Sequence, residues 1–369
     1  MSIWRWSNWL LDGDQGVDAV PEEARVSLGE GNTPLVKSRS LGPSVGLNNL
    51  WFKLESVSPT GSYKDRFAAA AISHMRARGE RLCVATSSGN TGAALAAYAA
   101  AGGVRCRIAI VETAPVDKLR QMLAYGAELI RVRGFGLDPD ITAQTLGELL
   151  RRSEEPDARL QISAFRYSPE GMAGVQTITW EIAEQLADPP DHIFCCAGGG
   201  GLTLAIARGA ARLCSEGHWR ECPAIECVQP TGNATIAAPL RDGGERAVTV
   251  KCTTTVSGLQ VPTVIDGDET LAACRDTGGT GLLVDDAWVF EVQTRLAREE
   301  GIFCEPAAAV PLAGALLALR EGRITADSRV VCLVTGSGFK DAASVERMVA
   351  GRECPLVDVA RLPELLDAP

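Results

Sequence analysis

An α/β fold with mostly parallel sheets, divided between two units, is predicted by three features of the chain. Strand and helix signals alternate along it, glycine-rich turns follow apolar strands, and 369 residues are too many for one ordinary core.

The alternation starts at Arg81. Leu82 to Ala85 reads as a buried strand, an alanine-rich helix follows Thr91, and Cys106 to Val111 is a second strand, which together make a βαβ unit. The next helix is expected from Pro115 to Gly126 with Val116, Leu119 and Leu123 on one face, before a strand at Leu129 to Val132. From Leu160 a second alternation runs through a helix at Val175 to Leu186, a strand at Ile193 to Cys196, a glycine loop and a helix at Thr203 to Ala210. It continues with a strand at Ile225 to Val228 and a helix carrying Val289, Val292 and Leu296, capped by Asp285 or Asp286. Val330 to Val334 is its last strand. Asp138 to Asp157 and Arg241 to Val248 read as mobile connections. The division this suggests is a large unit of residues 1–66 and 160–369 and a smaller α/β unit of residues 67–159.

Composition narrows the function. The chain is 46% hydrophobic and 22% charged, as expected of a folded enzyme-sized protein. A net charge of -10 without a basic run argues against nucleic-acid and anionic-membrane partners, so small molecules are the expected ligands. Twelve cysteines without a C-x-x-C pair read as reduced core residues, and three scattered histidines make a metal centre improbable. Asp12 and Asp14 break the N-terminal apolar run, so this opening is not expected to be a signal peptide. Pro306 to Leu319, the longest apolar stretch, is too short to span a membrane. A cytoplasmic protein is expected.

Three separated segments carry chemistry. Gly198 to Gly201 and Leu202 follow a strand and open a helix, so their backbone N–H groups are able to converge on an anion; an ordinary strand-to-helix turn explains the glycines equally well. The loop lacks the lysine and hydroxyl of a P-loop, and Thr203 replaces the last glycine of a dinucleotide fingerprint. Ser88, Asn90 and Thr91 gather hydroxyls and an amide at another such turn, suited to a substrate carboxylate or to simple capping. Lys64 stands in Gly61-Ser62-Tyr63-Lys64-Asp65-Arg66. A lysine that forms an imine must lose its proton near neutral pH, which burial and a nearby cation promote.

These segments, taken in order, resemble the pyridoxal 5'-phosphate (PLP) enzymes of fold type II, and among them the threonine synthases. Leu28-Gly29-Glu30-Gly31-Asn32-Thr33-Pro34-Leu35, Cys304-Glu305-Pro306-Ala307 and Thr335-Gly336-Ser337-Gly338-Phe339-Lys340-Asp341 are similar to further blocks of that family, and so is the Trp4-Arg5-Trp6 opening. The resemblance implies that Lys64 carries the cofactor as a Schiff base and serves as general base once the substrate amine displaces it. It implies that Asn90 meets the cofactor's ring hydroxyl, that Gly198, Gly199, Gly200, Gly201 and Leu202 hold its phosphate, and that Thr335 meets the pyridine nitrogen. Ser88, Asn90 and Thr91 would receive the substrate carboxylate. The implied reaction is conversion of O-phosphohomoserine and water to threonine and phosphate, by a homodimer.

The sequence departs from that family at substrate contacts. An arginine usual before Leu-Glu-Gly is absent from Arg166-Tyr167-Ser168-Pro169-Glu170-Gly171-Met172-Ala173-Gly174, where Arg166 substitutes only by a different route. The all-glycine loop is closer to amino-acid dehydratases, and Ser257 to Pro262 replaces an Ala-Ile-Arg-Ile-Gly-like run. The alternative is therefore a β-eliminating or β-replacing enzyme acting on serine, threonine or O-phosphoserine. A non-catalytic PLP or amino-acid sensor would be expected to lack the lysine or the loop, and both are intact. Trp4, Trp6 and Trp9 are expected to pack within one chain.

Overall fold

The computed structural model describes residues 2–10 and 19–367. Asp12 and Asp14 lie outside the described residues. Among the described residues ten strands form two sheets: β1 Leu35–Lys37, β2 Leu50–Leu54, β3 Leu82–Thr86, β4 Arg105–Ile110, β5 Glu128–Arg131, β6 Ala158–Gln161, β7 His192–Cys196, β8 Ala224–Pro230, β9 Gly281–Val284 and β10 Val330–Val334. The larger sheet has the order β1-β2-β10-β7-β8-β9 and is parallel except for β1; the smaller has the order β5-β4-β3-β6 and is wholly parallel. Central parallel strands are covered on both faces, which is why β10 reads as an unbroken apolar run and is buried throughout.

Parallel register gathers the functional loops. Val330 pairs with His192 and Cys332 with Phe194, so the turns after β10 and β7 leave the sheet at the same carboxyl edge. Lys64 begins the helix Lys64–Ala77, whose Phe67, Ile72 and Met75 are fully buried. Each such side chain contributes about 1.5–3 kcal/mol relative to exposure. That helix lies against Pro169–Gln185 at Gly174, where an added Cβ would stand 2.4 Å from the Arg66 carbonyl oxygen. A buried ionic cluster fixes the same junction. Arg66 meets Glu55 at 2.8 Å and Glu181 at 2.7 Å, while Lys53 meets Glu181 at 2.8 Å.

Three expectations need correction. Residues 138–157 are not a mobile connection, because Asp138 caps the helix Pro139–Ser153 by accepting from the N–H groups of Asp140 and Ile141, with Pro139 in the first turn. The helix Val116–Ala124 buries Leu119 and Met122, while Val116 and Leu123 are exposed, so its inner face is rotated from the expected one. Ten cysteines are free, but Cys214 and Cys222 form a disulfide: the chain reverses at Gly217 after the helix Gly201–Ser215 and brings their Cα atoms to 6.0 Å.

Trp6, Trp9 and Trp180 pack as one intrachain cluster with ring centroids 5.1–5.6 Å apart, and Trp4 Nε1 donates to the Val26 carbonyl. Among the described residues no helix is long and apolar enough to cross a membrane.

Candidate active site

Lys64 stands at the first turn of its helix with its Nζ 4.4 Å from the centre of the Tyr63 ring. That nitrogen donates to Ser163 Oγ at 2.7 Å, and Ser163 Oγ shares a second hydrogen bond with Thr91 Oγ1 at 2.9 Å. Burial pulls the Lys64 amine down from 10.5 to about 8, against the upward pull of Cys196, Glu305 and Asp266. Desolvation alone therefore does what a neighbouring cation was expected to do. About a tenth of such an amine is uncharged at pH 7.

The glycine loop leaves β7 and enters the helix Gly201–Ser215 through Gly200, whose φ of +101° lies in the left-handed region. A Cβ there would also stand 2.4 Å from Thr270 Oγ1, so glycine is required twice over. No backbone N–H of Gly198, Gly199, Gly200, Gly201 or Leu202 donates to a protein acceptor among the described residues. Asp266 lines the far side, accepting from the N–H groups of Phe165 at 2.7 Å and Arg166 at 3.1 Å.

Thr335 follows β10. Its carbonyl accepts from Tyr63 N at 3.0 Å, which ties it to the Lys64 turn. Its hydroxyl is buried within reach of the weakly bonding Cys196 thiol and has no oxygen or nitrogen partner among the described residues. A buried hydroxyl with no better partner than a thiol has room for a ligand's acceptor. Asn90, at the start of the helix Asn90–Gly102, turns its Nδ2 to both oxygens of Glu305 at 2.9 and 3.0 Å. Ser88 is half-buried in the same turn.

Lys64, Thr91, Asn90, Thr335 and the glycine loop thus surround one site, and a phosphorylated, ring-bearing cofactor fits the open N–H cradle and the Thr335 hydroxyl. Arg166 does not join it: the side chain is exposed, with its guanidinium 6.0 Å from the Tyr167 ring centre. Three participants escaped the sequence reading. Ser163 follows β6 as Asn90 follows β3, a strand-end position that is its one local signal. Glu305 lies in a quoted family block without a role of its own, and Asp266 precedes the helix Gly267–Asp276 and has no motif.

A family model described as pyridoxal-phosphate dependent enzyme matches residues 26–336. The chain belongs to that family. It is similar to the threonine synthase of Methanocaldococcus jannaschii, 32% identical over 345 residues that cover 92% of this chain and 81% of the relative. It is 30% identical over 370 residues to the threonine synthase of Methanosarcina acetivorans, covering all of this chain and 84% of that one. Among solved structures it resembles processed threonine deaminase isoform 2 of Solanum lycopersicum (TM-score 0.73, 21% identity, 95% and 94% of the two chains). It also resembles maize serine racemase (TM-score 0.71, 25% identity, 87% and 92%). The fold is that of the type II PLP enzymes, the cofactor is PLP, and the chain is a threonine synthase-like PLP-dependent lyase.

Proposed function

We propose that this enzyme converts O-phosphohomoserine and water to threonine and phosphate. The observation that carries the reading is the Lys64 amine, held down to about 8 and bonded to Ser163 beside the open glycine cradle. In this reading Lys64 holds the cofactor covalently, Gly198 to Gly201 and Leu202 bind its phosphate, Thr335 meets its ring nitrogen and Asn90 its ring hydroxyl. Bound PLP supplies an electron sink for the pair left behind when a proton leaves the substrate's α-carbon. Ser88, Asn90 and Thr91 receive the substrate carboxylate at the N-terminus of the helix Asn90–Gly102. Lys64 Nζ takes the α-proton and relays it, with Ser163 Oγ able to receive a proton from the amine and pass it towards Thr91.

The substrate phosphate needs a cation, and Arg166 points away. We assign that role to Lys118, which reaches from the helix Val116–Ala124 to Ser257 and, at 3.3 Å, to Asp341 Oδ2. Lys118 and the Ser88–Thr91 turn, both within residues 67–159, already stand against the large unit through Asp341 and Glu305, so substrate would enter by parting the two units and be enclosed as they close again. A homodimer in the cytoplasm is the setting we infer from the resemblance to the threonine synthases.

The test is to supply O-phosphohomoserine to the PLP-loaded protein and follow phosphate and threonine together, with Lys64→Ala as control. Both products in step, absent from the control, support the reading. Neither product, with an oxoacid and ammonia formed from serine or threonine, moves the function to β-elimination. The exposed Arg166 is the observation that favours that second reading.

A further inference from the structure

Glu305 is buried at the N-cap of the helix Pro306–Arg320, and the reaction proposed above gives it no task. Both its oxygens accept from Asn90 Nδ2. Gly336 backs it: an added Cβ would stand 2.3 Å from Glu305 Oε1, and Glu305 N donates to the Gly336 carbonyl at 3.0 Å. The carboxylate is therefore wedged between Gly336, beyond the larger sheet, and Asn90, beyond the smaller one. A primary amide left to itself turns over and exchanges donor for acceptor. One with its nitrogen tied to a fixed carboxylate does not.

We propose that Glu305 is a positioning residue for Asn90, fixing the amide so that its remaining N–H faces the cofactor's ring hydroxyl while a negative charge stands near Lys64. The inference rests on the cofactor contacts assigned above to Asn90 and Lys64. Around the carboxyl stand Lys64, Lys118, Lys340, Asp341, Tyr63 and the Cys196 and Cys304 thiols. Burial pushes Glu305 up to about 7, opposed by the Asn90 bond and the two cations Lys340 and Lys118, so the group is charged above neutral pH.

The visible band of the cofactor-loaded protein, titrated with pH, reads the charge, and cofactor affinity reads the orientation. Glu305→Gln keeps an oxygen for Asn90 and should bind PLP within about threefold of wild type, yet its band should titrate about one pH unit lower for want of the negative charge. Glu305→Ala loses both functions and should also bind PLP about tenfold more weakly. Gly336→Ala, which displaces the carboxylate without altering it, should weaken PLP binding in the same direction. Should Glu305→Ala fail to fold, Glu305→Gln and Gly336→Ala decide. Band midpoints and affinities that coincide with wild type overturn the proposal. A wild-type protein that forms no visible band with PLP instead overturns the assignment of Lys64, before any variant is compared.

Discussion

Lys64 Nζ donates to Ser163 Oγ at 2.7 Å across 99 positions of sequence, joining the first turn of a helix in one part of the chain to the loop that follows β6. Ser163 in turn reaches Thr91, so amine, hydroxyl and helix N-terminus form one chain of hydrogen bonds. Ser163→Ala should lower kcat about tenfold to a hundredfold while PLP still binds, because a proton relay is lost and the attachment is not. Steady-state kinetics beside a cofactor absorption spectrum checks this. In the wild type the rate should rise with pH up to about 8, where the Lys64 amine loses its proton. An unchanged kcat in the variant removes Ser163 from the chemistry.

Gly200 meets two constraints at once, a left-handed backbone and a Thr270 hydroxyl where a side chain would go. Gly200→Ala should cost about 1–3 kcal/mol of stability from the backbone conformation alone. It should also weaken PLP binding more than tenfold, since the N–H groups of the cradle move together. Thermal melts of the apoprotein separate the first effect from the second, which equilibrium dialysis against PLP measures. Unaltered affinity would show that the phosphate sits elsewhere.

Lys118 separates the two functional readings. If it meets the substrate phosphate, Lys118→Met raises KM for O-phosphohomoserine by about tenfold or more with a smaller change in kcat, the pattern of a lost ground-state contact. A fall in kcat at constant KM would make Lys118 part of domain closure instead.

How far the sequence carries depends on whether a residue's partner is near it in the chain. Val330 to Val334 is legible because both faces of a central strand are buried, and Asp285 because capping is local: its carboxylate accepts from Trp288 N three residues on. The helix Pro139–Ser153 escapes the same reading since none of its residues is fully buried and Gly147 interrupts it, leaving a weak apolar stripe among charges. Lys64 and the glycine loop stand out through composition and order. Ser163 and Glu305 do not, for each acquires its role from a partner far away, Lys64 for one and Asn90, 215 positions distant, for the other. The cation we assign to the substrate phosphate is likewise a matter of three dimensions: Arg166 lies near the site in sequence but its side chain is exposed, whereas Lys118 reaches Asp341 from the helix Val116–Ala124.

Asp65, next to Lys64, gives the fold a pH dependence of its own. Its carboxylate accepts from Thr60 N at 2.9 Å and Thr60 Oγ1 at 2.7 Å, yet burial outweighs both bonds and pushes it from 3.8 up to about 7. The native state therefore holds this proton more tightly than the unfolded chain does. Its stabilising effect is complete below about pH 4 and is lost as pH rises through about 7. Glu305, raised in the same direction, adds to that slope; Glu181, held down by Arg66 and Lys53 against its own burial, acts with opposite sign and only at lower pH. Between pH 5 and 8 the apoprotein should accordingly lose stability as pH rises. Asp65→Asn keeps an acceptor for Thr60 N and removes the titration, so it should flatten the slope and gain on wild type by on the order of a few kcal/mol at pH 8. Urea unfolding of both proteins at pH 5 and pH 8 measures the difference. Parallel lines for the two would mean that water reaches Asp65 and that its proton is shared with solvent, not held by the fold.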